Sequence, residues 1–199
     1  MRINENTKEI ISFIEKYGFV TAKICSRTIY KGFKQNYQLA SRKLRKMEQG
    51  KLLQRYLDNS NEYIYQINKK HITPHKYYLI DFYSRLYEGV DSVELFEVEK
   101  SWKISKKRND GFIIYKKGDS FYSLLIEIDY SHFTSKEKLE SLYESKEVQK
   151  YFKDNYDIED YFPTVVVVSM LGNSEYKDVE FDYLSLDFNF TNIDILLGA

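Results

Sequence analysis

Asn36-Tyr37-Gln38-Leu39-Ala40-Ser41-Arg42-Lys43-Leu44-Arg45-Lys46-Met47-Glu48-Gln49-Gly50-Lys51-Leu52-Leu53-Gln54-Arg55-Tyr56 decides how the front third of this chain folds. Leu39, Ala40, Leu44 and Met47 recur at helical spacing, which predicts a helix over Asn36 to Gln49 that buries one stripe and stops at Gly50. Lys51 to Tyr56 then reads as a strand and Glu62 to Ile67 as its partner, with the turn cluster Asp58-Asn59-Ser60-Asn61 between them. Upstream, Ile10, Ile11, Phe13, Ile14 and Tyr17 mark a helix over Thr7 to Tyr17, opened by Asn6 or Thr7 as its cap and closed by Gly18. Thr21 opens another that carries Ala22, Ile24, Cys25, Ile29 and Tyr30 and ends at Gly32.

Three helices followed by a hairpin is the order of a winged helix-turn-helix. In that arrangement the second helix of the helix-turn-helix pair, here the third in the chain, lies in the major groove of duplex DNA. Asn36, Tyr37, Gln38, Ser41, Arg42 and Arg45 fall away from its apolar stripe and supply amide and guanidinium groups that pair with base edges. Lys43, Lys46, Lys51 and Arg55 are placed to take phosphates. Charge supports the same partner. Residues 1–70 hold 15 Lys and Arg against 6 Asp and Glu, a surplus of +9, and residues 71–199 hold 15 against 24, a deficit of −9, so the zero net charge of the chain conceals a basic segment joined to an acidic one. Such a surplus on a short segment attracts a polyanion, and double-stranded DNA is the expected partner. A solvated lysine-rich surface, or a winged helix that binds protein, reads from the same residues.

Thr73 to Tyr87, with Pro74 in its first turn, predicts a helix that links two modules. The expected division is a winged-helix domain over 1–70, a linker helix over 71–88 and a mixed α/β domain over 89–199, an α+β chain overall. In the last of these, strands are predicted at Val93 to Val98, Gly111 to Lys116, Phe121 to Asp129, Thr164 to Met170 and Val179 to Leu186, with a helix from Ser135 to about Phe152. Thr134 and Glu137 have the spacing of a capping box at its start. Joining the two middle strands through Lys117-Gly118-Asp119-Ser120 by a two- or a four-residue loop gives one register, in which Asp110 faces Glu127 and Arg108 faces Asp129. Opposed carboxylates about 5 Å apart at their roots need a cation, a shared proton or a basic neighbour. A pair of this kind suits magnesium. Alternatively Asp110-Gly111 is a turn and both acids are hydrated.

Other chemistries are excluded. Cys25 is the single cysteine and reads as a core residue, so no intramolecular disulfide forms. His71, His75 and His132 lack the spacing of zinc ligands, and no glycine-rich phosphate loop or nucleophile elbow occurs. ATP hydrolysis and acyl transfer are set aside, and no cofactor other than magnesium is expected. No apolar run is long enough to cross a bilayer and the start lacks a signal core, so a cytoplasmic protein without membrane contact is expected.

The run Ser41 to Leu53 with the strand Tyr63-Ile64-Tyr65-Gln66-Ile67 resembles the winged helix of the replication-relaxation family. Asn109-Asp110-Gly111-Phe112, Leu125-Ile126-Glu127-Ile128-Asp129, Lys138-Leu139 with Tyr143, and Phe162-Pro163-Thr164-Val165-Val166-Val167-Val168 resemble that family's second half, which is similar to the restriction-endonuclease-like, PD-(D/E)XK, core. The family includes MobC-type accessory proteins of plasmid mobilisation and conjugation. The resemblance implies binding to double-stranded DNA at an origin of replication or mobilisation, and relaxosome assembly with a relaxase, a coupling protein or a second copy of the chain. It also implies metal-ligating, catalytic roles for Asp110 and Glu127 in an active nuclease. Asp129 departs from the lysine expected there, Lys138 is its substitute, and Asn109 replaces the usual proline. These departures favour a DNA-binding accessory protein over a magnesium-dependent nuclease. A winged-helix transcriptional repressor is a third reading.

Overall fold

The computed structural model describes residues 4–58, 62–170 and 176–197, and its chain divides into two units. The first comprises Met1–Thr73 with Ile80–Glu88, and the second Pro74–Leu79 with Gly89–Ala199.

In the first unit, helices α1 (Glu5–Tyr17), α2 (Ala22–Thr28) and α3 (Asn36–Gln49) accompany a three-stranded antiparallel sheet of β1 (Val20–Thr21), β2 (Gln54–Leu57) and β3 (Tyr63–Gln66). The cap of α1 is Asn4 rather than Asn6 or Thr7. Its side chain accepts from the Thr7 backbone, and Thr7 accepts from the Asn4 backbone in return, so two orphan donors of the first turn are satisfied at once. Gly18 closes the helix in the left-handed conformation, as its lack of a Cβ allows. The second helix stops at Thr28, short of Gly32. The hairpin strands are also shorter than expected, because Lys51 turns with positive φ and Leu53 is buried before pairing begins. β1 pairs with β3 (Val20 opposite Tyr65) and was not legible, since two residues carry no period. Asn59, Ser60 and Asn61 of the expected turn lie outside the described residues; the flanking Asp58 and Glu62 are hydrogen-bonded to each other. Ile10, Ile14, Phe19, Ile24, Cys25, Ala40, Leu44 and Met47 are buried, and burial pushes the Cys25 thiol up to about 12, so it is inert.

Helix α4 (Pro74–Gly89) buries Leu79, Ile80, Phe82, Tyr83 and Leu86; residues 74–79 cluster with the second unit and residues 80–88 with the first. Within the first unit, Arg27 donates to Asp81 at 2.7 Å and to Ser84, and Arg85 donates to the other oxygen of Asp81 at 3.1 Å.

The second unit is built on a five-stranded sheet in the order β4 (Ser92–Ser101), β5 (Arg108–Lys117), β6 (Ser120–Asp129), β7 (Thr164–Ser169), β8 (Tyr183–Asp187). The first three strands are antiparallel, and β7 and β8 run parallel to β6. The register of β5 on β6 is the expected one, from Gly111 opposite Ile126 to Lys117 opposite Ser120, closed by a two-residue turn in which Gly118 has φ 59°. Gly111 is therefore a strand residue rather than part of a turn. The expected pairing of Arg108 with Asp129 does not form: Arg108 lies opposite Ser101 on β4, with its guanidinium 3.8 Å from Glu99.

The crossover from β6 to β7 carries two helices where one was expected, α5 (Lys136–Glu144) and α6 (Glu147–Tyr156), because Lys146 enters the left-handed region and breaks the run. The cap of α5 is Ser135, which accepts from the Lys138 backbone, and Thr134 is engaged elsewhere. Leu139, Leu142, Val148 and Phe152 from these helices pack on Phe112, Ile114, Leu125, Val165 and Val167 of the sheet, forming the core of this unit. A methyl group added at Gly111 would come within 2.7 Å of the Leu79 side chain. Gly111→Ala is therefore expected to lower stability by about 1–3 kcal/mol, read as a lower midpoint of chemical denaturation; an unchanged midpoint would contradict the packing of Leu79 on β5. No helix among the described residues is long and apolar enough to cross a membrane.

Candidate nucleic-acid interface and carboxylate cluster

Helix α3 turns Ala40, Leu44 and Met47 inward and leaves Tyr37, Gln38, Arg42, Arg45 and Lys46 exposed, while Asn36 and Ser41 are half-buried. Arg42 bonds only to the Gln38 carbonyl of its own helix among the described residues. Two residues expected at phosphates are otherwise engaged. Lys43 donates to Asn4 Oδ1 at 2.8 Å and Thr7 Oγ1 at 2.5 Å, so it ties α3 to the cap of α1, and burial followed by the nearby Lys46 holds its ammonium below the ordinary lysine range. Arg55 lies 3.5 Å from Glu48 and stacks over the Tyr63 ring at 4.6 Å. Lys51 is exposed at the end of α3.

In the second unit the structure brings Asp110, Glu127 and Lys138 together. Asp110 immediately precedes Gly111, the first residue of β5 paired with β6, and its Oδ2 accepts the Ile128 N–H at 2.7 Å, so a side chain takes a strand donor beyond the end of the ladder. Glu127 sits on the central strand with neighbours on both sides and is 2% exposed. Its Oε1 receives Asn109 Nδ2 at 2.6 Å and lies 2.6 Å from Lys138 Nζ. Burial raises Glu127 to about 7, opposed by Lys138, reinforced by Asp110 and opposed again by the Asn109 hydrogen bond. Near neutral pH the buried carboxyl is thus shared between protonated and ionised forms.

Lys138 is carried by α5, whose approach is held by Asp129. Asp129 Oδ2 accepts the Thr134 N–H at 2.9 Å and Oδ1 the Thr134 hydroxyl at 2.6 Å, closing the turn after β6 and setting where α5 begins. Asp129 thus braces the turn between β6 and α5. Tyr176 donates to the Thr134 carbonyl at 3.0 Å, and burial, then Asp129 and Glu127, hold its phenol far above the ordinary range.

Sequence reasoning assigned no role in this cluster to three of its members, Asn109, Trp102 and His75. Asn109 is fully buried and joins Glu127 to the Trp102 indole, whose Nε1 donates to Asn109 Oδ1 at 2.8 Å. His75, on the first turn of α4, has Nδ1 3.7 Å from Asp110 Oδ2. Trp102 and His75 lie far along the chain from Glu127, and no local spacing signals them.

Asp110 and Glu127 each have one oxygen without a hydrogen bond among the described residues. That donor set fits magnesium, which keeps most of its waters and takes one or two carboxylates. It does not fit a closed protein cage, since no group of three or more His, Cys, Asp or Glu side chains that could hold a metal occurs among the described residues. No known family model matches the chain, and no curated protein is significantly similar to it.

Proposed function

We propose that this protein binds double-stranded DNA through its first unit, as an accessory factor of plasmid or conjugative-element replication or mobilisation. The observation that carries the reading is the outward face of α3: Tyr37, Gln38, Arg42, Arg45 and Lys46 exposed on one helix, in a segment with a surplus of +9. The order α1, β1, α2, α3, β2, β3 supports a winged helix, with α3 as the helix that enters the major groove. In this reading the second unit is a restriction-endonuclease-like platform that offers its acidic surface to a relaxase, a coupling protein or a second copy. Fluorescence anisotropy of the full chain with a duplex oligonucleotide at low salt is the test. Binding that weakens steeply with salt is expected, and no binding in dilute buffer would end the proposal.

One observation favours a second reading, a divalent-metal DNA nuclease: Lys138 Nζ lies 2.6 Å from Glu127 beside Asp110, so the displaced lysine and both carboxylates meet. Strands β4, β5 and β6, a crossover of two helices, α5 and α6, and parallel β7 support the PD-(D/E)XK likeness. Asp110 and Glu127 would hold magnesium, which when bound activates water and neutralises charge. Lys138 would place a positive charge where negative charge develops in the transition state. Plasmid nicking that needs magnesium and is lost in both Asp110→Ala and Glu127→Ala would establish this reading over a purely binding role.

A further inference from the structure

The back part of the chain, residues 71–199, is acidic in sum, and its densest run of cations lies in one turn of the second unit. Residues 71–199 hold 15 Lys and Arg, and five of them, Lys100, Lys103, Lys106, Lys107 and Arg108, fall within residues 100–108, which contain no Asp or Glu. This segment is the turn between β4 and β5, running from Trp102 to Lys107. Among the described residues Lys103, Lys106 and Lys107 have no carboxylate within ion-pair distance, and Arg108 has only the exposed Glu99 at 3.8 Å. Lys100 is turned inward, paired with Glu97 and lying over the rings of Trp102 and Tyr151.

The turn is held in one shape. Glu147 of α6 accepts the backbone N–H groups of Lys103 at 2.6 Å, Ile104 at 2.9 Å and Ser105 at 3.2 Å. Trp102 N donates to the Lys107 carbonyl at 2.9 Å, and Lys106 is kept at φ 56°, a conformation that a non-glycine residue adopts only where its surroundings require it. The base of the turn is continuous with the carboxylate cluster, through Trp102 to Asn109 at 2.8 Å and Asn109 to Glu127 at 2.6 Å.

We propose that the turn between β4 and β5 is a phosphate-backbone contact for DNA, seating a strand beside Asp110, Glu127 and Lys138. Cations without a carboxylate partner on a turn whose backbone is already fixed attract a polyanion without the cost of ordering the loop, and the net negative charge of residues 71–199 weakens the attraction of the remaining surface. The contact carries no sequence information, because phosphates are alike at every step. This rests on the DNA-binding reading above and adds a second place of contact to it.

The test is the salt dependence of full-chain binding to duplex DNA, for wild type and for Lys103→Gln, Lys106→Gln and Lys107→Gln combined. Each lost phosphate contact removes about 0.9 unit from the slope of log affinity against log salt, so a fall of about 2–3 units is expected. Lys106→Gln alone should lower it by about 1 unit, and the triple arginine replacement should keep the wild-type slope. Wild type that binds with a slope unchanged in the glutamine variants overturns the contact and leaves the α3 reading intact. Wild type that ignores duplex DNA removes both.

Discussion

Glu127→Gln is expected to stabilise the protein at pH 8 and to leave its stability nearly unchanged at pH 4. The folded chain holds the Glu127 proton up to about 7, against 4.5 for the ordinary carboxyl, because the group is buried and Lys138 and Asn109 offset only part of the desolvation. Between these values the folded state binds more protons than the unfolded one, so the stability contributed by the neutral acid is present below about 4.5 and lost as pH rises through about 7. The whole difference is worth about 3 kcal/mol, large against a typical net stability of about 5–15 kcal/mol. Glutamine keeps the shape and the acceptor for Asn109 and Lys138 but has no proton to lose, and Lys138, 27% exposed, can hydrate once its partner is neutral. Urea unfolding of both proteins from pH 4 to pH 8 reads the effect, because titrations not coupled to Glu127 cancel in the difference, leaving Glu127 with its neighbours Asp110 and Lys138. A difference that stays flat over that interval would mean that Glu127 is not a buried acid. Magnesium gives the companion measurement: if Asp110 and Glu127 hold it, added magnesium stabilises the wild type above pH 7 and not the variant, since the metal requires the ionised carboxylate.

The parts of this fold that the sequence reveals are those whose signal is periodic. Helix α3 matched its prediction residue for residue, because Leu39, Ala40, Leu44 and Met47 set the stripe and Gly50 ends it. The β5–β6 register followed from one glycine turn, but the ladder ends at Gly111 opposite Ile126, so Asp110 is not paired across from Glu127 as expected and instead accepts the Ile128 N–H. What stayed hidden depends on single conformations or distant partners. The break between α5 and α6 turns on Lys146, which enters the left-handed region after Ser145, and no composition rule marks this for lysine. The cap at Asn4 and the shift from Thr134 to Ser135 differ from expectation because short polar side chains near a helix start are interchangeable until their acceptors are known. Asn109 stood in the motif only as a departure from proline, yet as an amide it can link Trp102 to Glu127, which proline could not do.

The face of α3 yields the second large expected effect. Arg42→Ala and Gln38→Ala should each cost about 1–3 kcal/mol at the preferred site and narrow the gap between that site and other sequences, as expected when a side chain that reads a base edge is lost. Lys51→Ala should instead weaken binding to all duplexes alike and reduce the salt slope by about 1 unit, the signature of a phosphate contact. Lys43→Ala separates the structure from a reading by charge alone. A lysine on a basic helix would ordinarily be counted with the phosphate contacts, but this one is committed to Asn4 and Thr7, bracing the start of α1. Its loss should lower thermal stability and leave the salt slope of binding where it was. Competition binding with the preferred duplex and a scrambled one, repeated at several salt concentrations, distinguishes the three behaviours. If Arg42→Ala and Gln38→Ala bind both duplexes as the wild type does, α3 does not read the DNA. If Lys43→Ala loses slope as Lys51→Ala does, the brace on α1 gives way when DNA arrives.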